Sequence, residues 1–161
     1  MSTTALPASL AVRNLLEDLL GREVTVRSAD PLLSDDLTRT VVAVYVDDHM
    51  TMTAVMGLEL PLAAYAAAAL GLMPAGAADD SLTSGALSPV LAENVPEVCN
   101  VLTSLLNREG SPHVRLYKVY LPPDKPPTDV QPVLLALGNR TDLMVEVARY
   151  GKGVFTLALA R

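Results

Sequence analysis

Four polar side chains recur at helical spacing in one stretch of the sequence. They are Glu93, Glu97, Asn100 and Ser104, and steps of three or four residues place them on one side of an α-helix. An exposed carboxylate can pair with a lysine of a partner, while an amide one turn away can hold a water molecule in place. These four residues, named the polar ridge below, are the strongest candidate for a chemical site.

The other side of the same stretch is apolar and predicts how the polar ridge is positioned. Apolar residues recur at the spacing of one helix face, at Leu91, Val95, Val98, Leu102 and Leu105. We predict one helix over residues 88–109, ended by Gly110, Ser111 and Pro112. Such a helix buries the apolar stripe in a core and leaves Glu93, Glu97 and Asn100 exposed.

The charges on the polar ridge are not balanced within the helix. Glu93 and Glu97 are like charges four residues apart, which costs roughly 0.2–0.5 kcal/mol. No lysine or arginine lies four residues before or after either of them. A cation supplied by a partner would relieve this repulsion.

Pro96 leaves two other interpretations open. A proline inside a helix lacks an N–H donor, and its ring clashes with the carbonyl four residues earlier, here that of Ala92. Asn94 could instead cap a new helix, with Glu97 as the back-reaching member of a capping box. The polar ridge could also be a solvated helix face without any function.

Other chemically capable residues form weaker patterns. Asp47, Asp48 and His49 are adjacent at a predicted hairpin turn, where they point in different directions and suit turn formation better than metal binding. His113 has no evident partner, and Cys99 lies beside the apolar stripe as a small core residue. We therefore predict no metal site and no Ser/His/Asp or Cys/His catalytic arrangement.

Composition limits the class of protein. The 161 residues suit a single domain over residues 1–161, and 50% of them are apolar. The net charge is −6 and no basic cluster is present, which argues against partners such as nucleic acid or an anionic membrane surface. The single cysteine excludes an intramolecular disulfide.

One uncharged segment, residues 60–78, has to be tested as a membrane span. It is rich in alanine and is interrupted by Pro61, Gly71, Pro74 and Gly76, so we predict a buried helix over 61–73 and no membrane span. Residues 1–12 lack the basic region of a secretory signal. The expected location is the cytoplasm.

The remaining elements predict an α+β fold. We expect a helix over 7–20 and strands over 23–27, 40–46, 50–56, 114–121, 133–137, 142–150 and 154–160, with loops over 28–37, 74–84 and the proline-rich 122–132. Strict β-α-β alternation and a glycine-rich phosphate loop are absent from the sequence. The prediction is an antiparallel sheet covered on one face by helices.

The polar ridge resembles the motif of the CheC/CheX phosphatases. That family carries Asp or Ser, three residues, Glu, two residues, Asn, then twenty-two residues and Pro. The present chain has Glu93, Glu97, Asn100 and Pro123 at that spacing. Two positions differ, because Glu93 replaces Asp or Ser and Ser104 stands where the family commonly has Gly one turn after the Asn.

The resemblance implies a CheC/CheX-like fold and a phosphatase acting on a phosphorylated CheY-like response regulator. Asn100 would position the attacking water and Glu97 would pair with the lysine of the receiver domain, so that these two are the catalytic residues. Glu93, Ser104 and Pro123 would contact the partner. The receiver would carry the Mg²⁺ and the phosphoaspartate, and this chain would bind no cofactor.

The resemblance also indicates which type of member this chain is. CheC-type proteins carry two copies of the motif, but Glu17 is followed three residues later by Leu20 and not by Asn, so one site is expected, as in the CheX type. CheX-type proteins pair through sheet edges, which implies a homodimer, and the β-rich C-terminal third offers candidate edges. The alternative function is a non-enzymatic module that binds a receiver domain or acts as a signalling or motor scaffold.

Overall fold

A six-stranded antiparallel sheet forms the centre of the protein. The computed structural model describes residues 4–160. The strands are β1 (Val24–Ser28), β2 (Thr40–Asp47), β3 (Met52–Glu59), β4 (Val114–Tyr120), β5 (Arg140–Val147) and β6 (Gly151–Leu159). Their order is β1-β5-β6-β3-β2-β4, and each neighbouring pair is antiparallel. The predicted α+β fold with an antiparallel sheet is confirmed.

The helices lie between and after these strands. They are α1 (Ser9–Leu20), α2 (Leu60–Leu70), α3 (Asp79–Ser84), α4 (Pro89–Val101) and α5 (Gln131–Leu135), with 3₁₀ turns at Ser34–Arg39, Ala75–Ala78 and Leu102–Leu105. No helix within residues 4–160 is long and apolar enough to cross a membrane. The expectation about residues 1–12 falls partly outside the described residues.

Helices α1, α2 and α4 cover one face of the sheet and enclose the main core. Strand residues alternate between the two faces, so every second side chain of the central strands enters this core. Its members include Val12, Leu16, Ala43, Tyr45, Met56, Leu62, Leu91, Val98 and Phe155. The apolar stripe predicted for residues 91–105 lies in this core, with Leu91, Val95 and Val98 almost fully buried.

The alanine-rich helix α2 packs very closely on the sheet. Its alanines at 63, 64 and 66–69 are buried. Opposite the helix, β6 carries Gly153, where a Cβ atom would lie only 2.7 Å from the backbone nitrogen of Leu62. Small residues on both sides therefore allow the close approach. The segment contains a buried helix, as predicted, but the helix ends at Leu70 and not at residue 73.

The second face of the sheet is also partly covered, which modifies the prediction of helices on one face. A smaller core there contains Val42, Val44, Val55, Leu37 and Leu134. Leu37 comes from the 3₁₀ turn Ser34–Arg39, and Leu134 comes from α5. Two short segments therefore shield the apolar side chains of the central strands that face away from the main core.

A buried ion pair fastens this second layer to the sheet. Arg140 contacts Asp142 with N–O distances of 2.8 and 3.0 Å, and their side chains are 6% and 7% exposed. The guanidinium also donates to the carbonyls of Leu134 and Ala136, at 2.8 and 2.6 Å, and Thr156 donates to Asp142 at 2.8 Å. The pair joins β5, β6 and the end of α5.

The predicted and observed elements differ most in three places. The predicted strand 133–137 is instead α5 with a following loop, because a short apolar run does not distinguish strand from helix and Pro132 suits the first helical turn. The predicted loop 74–84 contains a 3₁₀ turn and α3, whose first turn has Asp79 and Asp80 near the positive helix end. The predicted helix 88–109 ends as α4 at Val101.

Removal of Asp142 should test how strongly the second layer depends on the buried pair. Asp142→Ala leaves the Arg140 charge buried without its counterion, so we expect a loss of about 3–5 kcal/mol in the free energy of unfolding. Urea denaturation measures it. Asp48→Ala, which removes the exposed ion pair between Asp48 and His113, is the control and should cost less than about 1 kcal/mol. Equal losses for the two variants would contradict this account.

Candidate functional site

The polar ridge begins on a continuous helix. Helix α4 runs from Pro89 to Val101, with Ser88 at the N-cap position and Pro89 in the first turn, where proline is well tolerated. Glu93, Glu97 and Asn100 are exposed. The predicted exposure of these three residues along one helix is confirmed.

Pro96 lies inside α4 and does not interrupt it. Its side chain is exposed and therefore lies on the same side as the ridge. Because proline has no N–H, the carbonyl of Ala92 receives no helical hydrogen bond from this position. The helix persists because its apolar stripe is buried in the main core on the opposite side.

The hypothesis that Asn94 caps a new helix is wrong. Asn94 lies in the middle of α4, and its amide donates to the carbonyl of Ala67 in α2 at 3.1 Å. The N-cap position is Ser88, whose own N–H donates to the Ser81 hydroxyl at 2.9 Å. Asn94 therefore joins two helices, and Glu97 is free of the capping role.

Tyr45 connects α4 to the sheet directly below the ridge. Its hydroxyl donates to the carbonyl of Cys99 at 2.7 Å, one residue before Asn100, and the side chain is 1% exposed. Burial, with a smaller contribution from Cys99, raises the pKa of Tyr45 well above its usual value, so the hydroxyl keeps its proton. Burial also raises the pKa of the Cys99 thiol to about 12. Cys99 is buried in the core, as predicted.

Tyr45 belongs to the site, although the spacing of the ridge residues does not reveal it. A buried tyrosine needs a partner for its hydroxyl, and Tyr45 stands in the apolar run of β2, so the need for a polar partner was visible. The identity of that partner was not, because Cys99 lies 54 residues away in the chain.

The polar ridge ends in a tighter helical turn. After Val101 the chain forms the 3₁₀ turn Leu102–Leu105, in which Ser104 is exposed and donates to the carbonyl of Val101 at 3.1 Å. The Cys99 carbonyl accepts bonds from the hydroxyls of Tyr45 and, at 3.5 Å, Thr103. These side-chain donors compete with the regular helical bonds, which explains why α4 stops before the predicted end.

Pro123 occupies the surface in the loop after β4. It is exposed, whereas Leu121, two residues earlier, packs against the main core that α4 covers. Strand β4 also packs against α4. Pro123 is therefore at the end of a strand that neighbours the ridge helix, although no hydrogen bond in residues 4–160 joins it to the ridge.

The ridge carboxylates have no cation of their own. Within the described part of the chain, neither Glu93 nor Glu97 forms an ion pair, and the Asn100 side chain makes no hydrogen bond. The groups are exposed and available, so a partner can pair with the carboxylates without breaking an existing contact. The amide of Asn100 has both its donor and its acceptor open to solvent or to a ligand.

The acidic hairpin turn is structural, as predicted. Asp47 accepts the N–H groups of Thr51 and His49, at 3.0 and 2.9 Å, and these bonds lower the pKa of its carboxyl group. His113 does have a partner, contrary to expectation, because its Nδ1 lies 3.2 Å from Asp48. No group of three or more potential metal ligands occurs in residues 4–160.

The fold of this chain is similar to that of several solved structures. The sequence matches no protein-family model and no curated protein. CheX of Borrelia burgdorferi, in complex with CheY, BeF₃ and Mg²⁺, matches at a TM-score of 0.57 and 11% identity, over 94% of both chains. FliM of H. pylori, in complex with SpeE, matches at 0.62 and 10% identity, over 92% of this chain and 79% of that one. The chain has the CheX/FliM fold.

A third structure supports the same assignment. FliY of Thermotoga maritima matches the CheX/FliM fold of this chain at a TM-score of 0.57 and 18% identity, over 92% of this chain and 82% of that one. The fold inferred from the polar ridge and Pro123 is therefore confirmed. At these identities the similarity is one of fold.

Removal of the Tyr45 hydroxyl should test the link between the sheet and α4. Tyr45→Phe keeps the ring but takes one hydrogen bond from the Cys99 carbonyl, so we expect a loss of about 1–2 kcal/mol in the free energy of unfolding. Tyr117→Phe, which changes an exposed tyrosine, is the matched control and should stay within about 0.5 kcal/mol of wild type. Chemical denaturation compares the two, and an unchanged stability of Tyr45→Phe would contradict the proposed anchor.

Proposed function

We propose that this chain binds the phosphorylated receiver domain of a CheY-like response regulator through α4 and accelerates hydrolysis of its phosphoaspartate. The observation that carries the proposal is the exposure of Glu93, Glu97 and Asn100, without partners among residues 4–160, on one helix of a CheX/FliM fold. Glu97 and Asn100 have the motif spacing of the phosphatases that share this fold.

The proposed chemistry is positioning of water. The oxygen of a water molecule held by Asn100 attacks phosphorus in line with the bond to the aspartate oxygen. That bond breaks, inorganic phosphate leaves and the aspartate carboxylate is regenerated. Glu97 pairs with the receiver's lysine and orients the two proteins, while Glu93, Ser104 and Pro123 contact the receiver. The receiver supplies the Mg²⁺, so the chain needs no metal or nucleophile of its own.

Support for a receiver partner comes from the fold and from charge. The matching CheX structure was solved with CheY, BeF₃ and Mg²⁺. The two ridge carboxylates repel each other at four residues' separation and favour a cationic partner surface. The expected cytoplasmic location belongs to this proposal, because it follows from a cytoplasmic receiver.

A second candidate function is binding without hydrolysis. It is favoured by the matches to FliM structures, which were solved in complexes with SpeE and with FliG, and by Pro96 directly before Glu97. In this case the chain would act as a receiver-binding module or as a signalling or motor scaffold. Hydrolysis distinguishes the two candidates, since both involve binding of a partner.

Substitution of the water-positioning amide should separate catalysis from binding. Asn100→Ala is expected to lower the rate of phosphoaspartate hydrolysis by about 10²–10³, as loss of one positioned polar group does at an oxyanion site. The receiver affinity should change little, because an amide that orients water acts mainly in the transition state. Glu97→Ala should weaken binding as well. The measurement is the decay of a phosphorylated receiver from the same organism with Mg²⁺ present.

Asn14→Ala is the matched control, since Asn14 is an exposed asparagine on α1 and not on α4. It should hydrolyse at the wild-type rate. If the wild-type chain binds the receiver but does not accelerate decay, the scaffold function replaces the enzymatic one. If Asn100→Ala is as fast as wild type, the motif spacing is a coincidence.

The homodimer remains a prediction, and the structure narrows where its interface can lie. Of the strands in the C-terminal third, β5 and β6 are inside the sheet and β4 is an edge, so β4 and β1 are the two edges available for pairing. Light scattering at micromolar concentration should give twice the chain mass of 17.0 kDa. A monomer at high concentration would contradict the prediction.

A further inference from the structure

Leu72 stands in a backbone conformation that normally selects glycine. After α2, the N–H of Met73 bonds to the carbonyl of Ala68 at 2.8 Å and that of Leu72 bonds to Ala69 at 3.1 Å. This pair of bonds is the Schellman motif, in which the residue at the position of Leu72 is left-handed and is usually glycine. The φ angle of Leu72 is +57°, a region that a leucine occupies only at a cost in strain.

Burial within the chain does not compensate this strain. The Leu72 side chain is 89% exposed, the largest value among the exposed large apolar residues of the described chain. The preceding residue is glycine for a different reason. Gly71 has an ordinary φ of −83°, but a Cβ atom there would lie 2.8 Å from the amide nitrogen of Asn94. Packing within the chain therefore does not account for a leucine in this left-handed position.

Contacts on both sides hold Leu72 in place. The carbonyl of Met73 accepts a hydrogen bond from the hydroxyl of Tyr150 at 2.5 Å. On the other side, Gly71 packs against Asn94, whose amide is itself bonded to Ala67. A strained residue that its surroundings fix so firmly and that projects into solvent is typical of binding surfaces.

Leu72 lies beside the polar ridge. Asn94, which contacts Gly71, is one helical turn from Glu97 on α4. Val90, four residues before Asn94 on the same side of α4, is 52% exposed. Two exposed apolar residues, Leu72 and Val90, thus stand one and four residues in sequence from the contact between Gly71 and Asn94.

We propose that Leu72 is an apolar anchor that inserts into the receiver domain docked on α4, next to the cation that pairs with Glu97. This inference rests on the function proposed above. The receiver surface that fits is a basic side chain flanked by an apolar pocket. A second copy of this chain fits poorly. A two-fold contact around α4 would bring Glu93 and Glu97 close to the equivalent carboxylates of the second copy, and these like charges repel each other.

Leu72→Gly should affect stability and affinity in opposite directions. Glycine adopts the left-handed conformation without strain, so the Tm should not fall below wild type and should rise by up to about 4 °C. Loss of the anchor should weaken binding of the receiver by about tenfold or more. Calorimetry measures Kd with the full chain and a receiver domain loaded with BeF₃ and Mg²⁺, and thermal unfolding gives Tm.

Two further variants make the test specific. Leu72→Asn also suits the left-handed conformation but is polar, so it should weaken binding as Leu72→Gly does. Leu137→Gly removes another leucine, 82% exposed, in the connection between α5 and β5. This control should leave Kd unchanged.

The outcomes separate this inference from the proposed function. If the wild-type chain binds the receiver and both Leu72 variants bind as tightly as wild type, the proposed role of Leu72 as an anchor is wrong, whereas the proposed binding of a receiver is retained. If the wild-type chain does not bind, both proposals fail. If the Leu72 variants lower the molecular mass in light scattering without weakening receiver binding, the occupant is a second copy and the inference is overturned.

Discussion

Burial of the apolar stripe of α4 against the sheet is the constraint on which the candidate site depends. Leu91, Val95 and Val98 are almost fully buried, which leaves the opposite face of the helix to solvent. The rotation of α4 about its axis therefore decides that Glu93, Glu97 and Asn100 face outward together. A helix with Pro96 in its middle lacks one backbone bond, so tertiary packing has to hold it.

Two side-chain hydrogen bonds fix the position of α4 in addition to that packing. The Tyr45 hydroxyl donates to the Cys99 carbonyl, next to Asn100, at 2.7 Å, and the Asn94 amide donates to the Ala67 carbonyl of α2 at 3.1 Å. Apolar packing alone is non-directional and would tolerate small shifts along the helix axis. Because a hydrogen bond has a narrow range of length and angle, these two contacts limit such shifts. Such constraints suit the positioning role proposed above for Asn100.

The electrostatics of the ridge indicate an incomplete site. Its carboxylates have no cation among residues 4–160, and its amide has no hydrogen-bond partner there. This matches the function proposed above, in which a partner supplies the lysine, the metal ion and the phosphoaspartate, and in which activity depends on the docked complex.

Much of this architecture was predictable because it is encoded in local periodicity. The spacing of Leu91, Val95 and Val98 predicted the buried face of α4, and the alternating strands predicted the antiparallel sheet. Local patterns did not predict α5, since a short apolar run such as 133–137 suits a helix or a strand equally well until its packing surface is known. They also placed the end of α4 too late, at residue 109 and not at Val101. Near that end, the hydroxyl groups of Tyr45 and Thr103 both donate to the carbonyl of Cys99.

The sequence by itself determined which side chains are able to do chemistry and which face of their helix is apolar, because both follow from residue type and spacing. Only the tertiary structure decided that Asn94 bonds to α2 and does not cap a helix, and that Leu72 is strained and exposed. Those outcomes depend on contacts between residues far apart in the chain. Their geometry is set by how the helices pack on the sheet, which no local pattern contains.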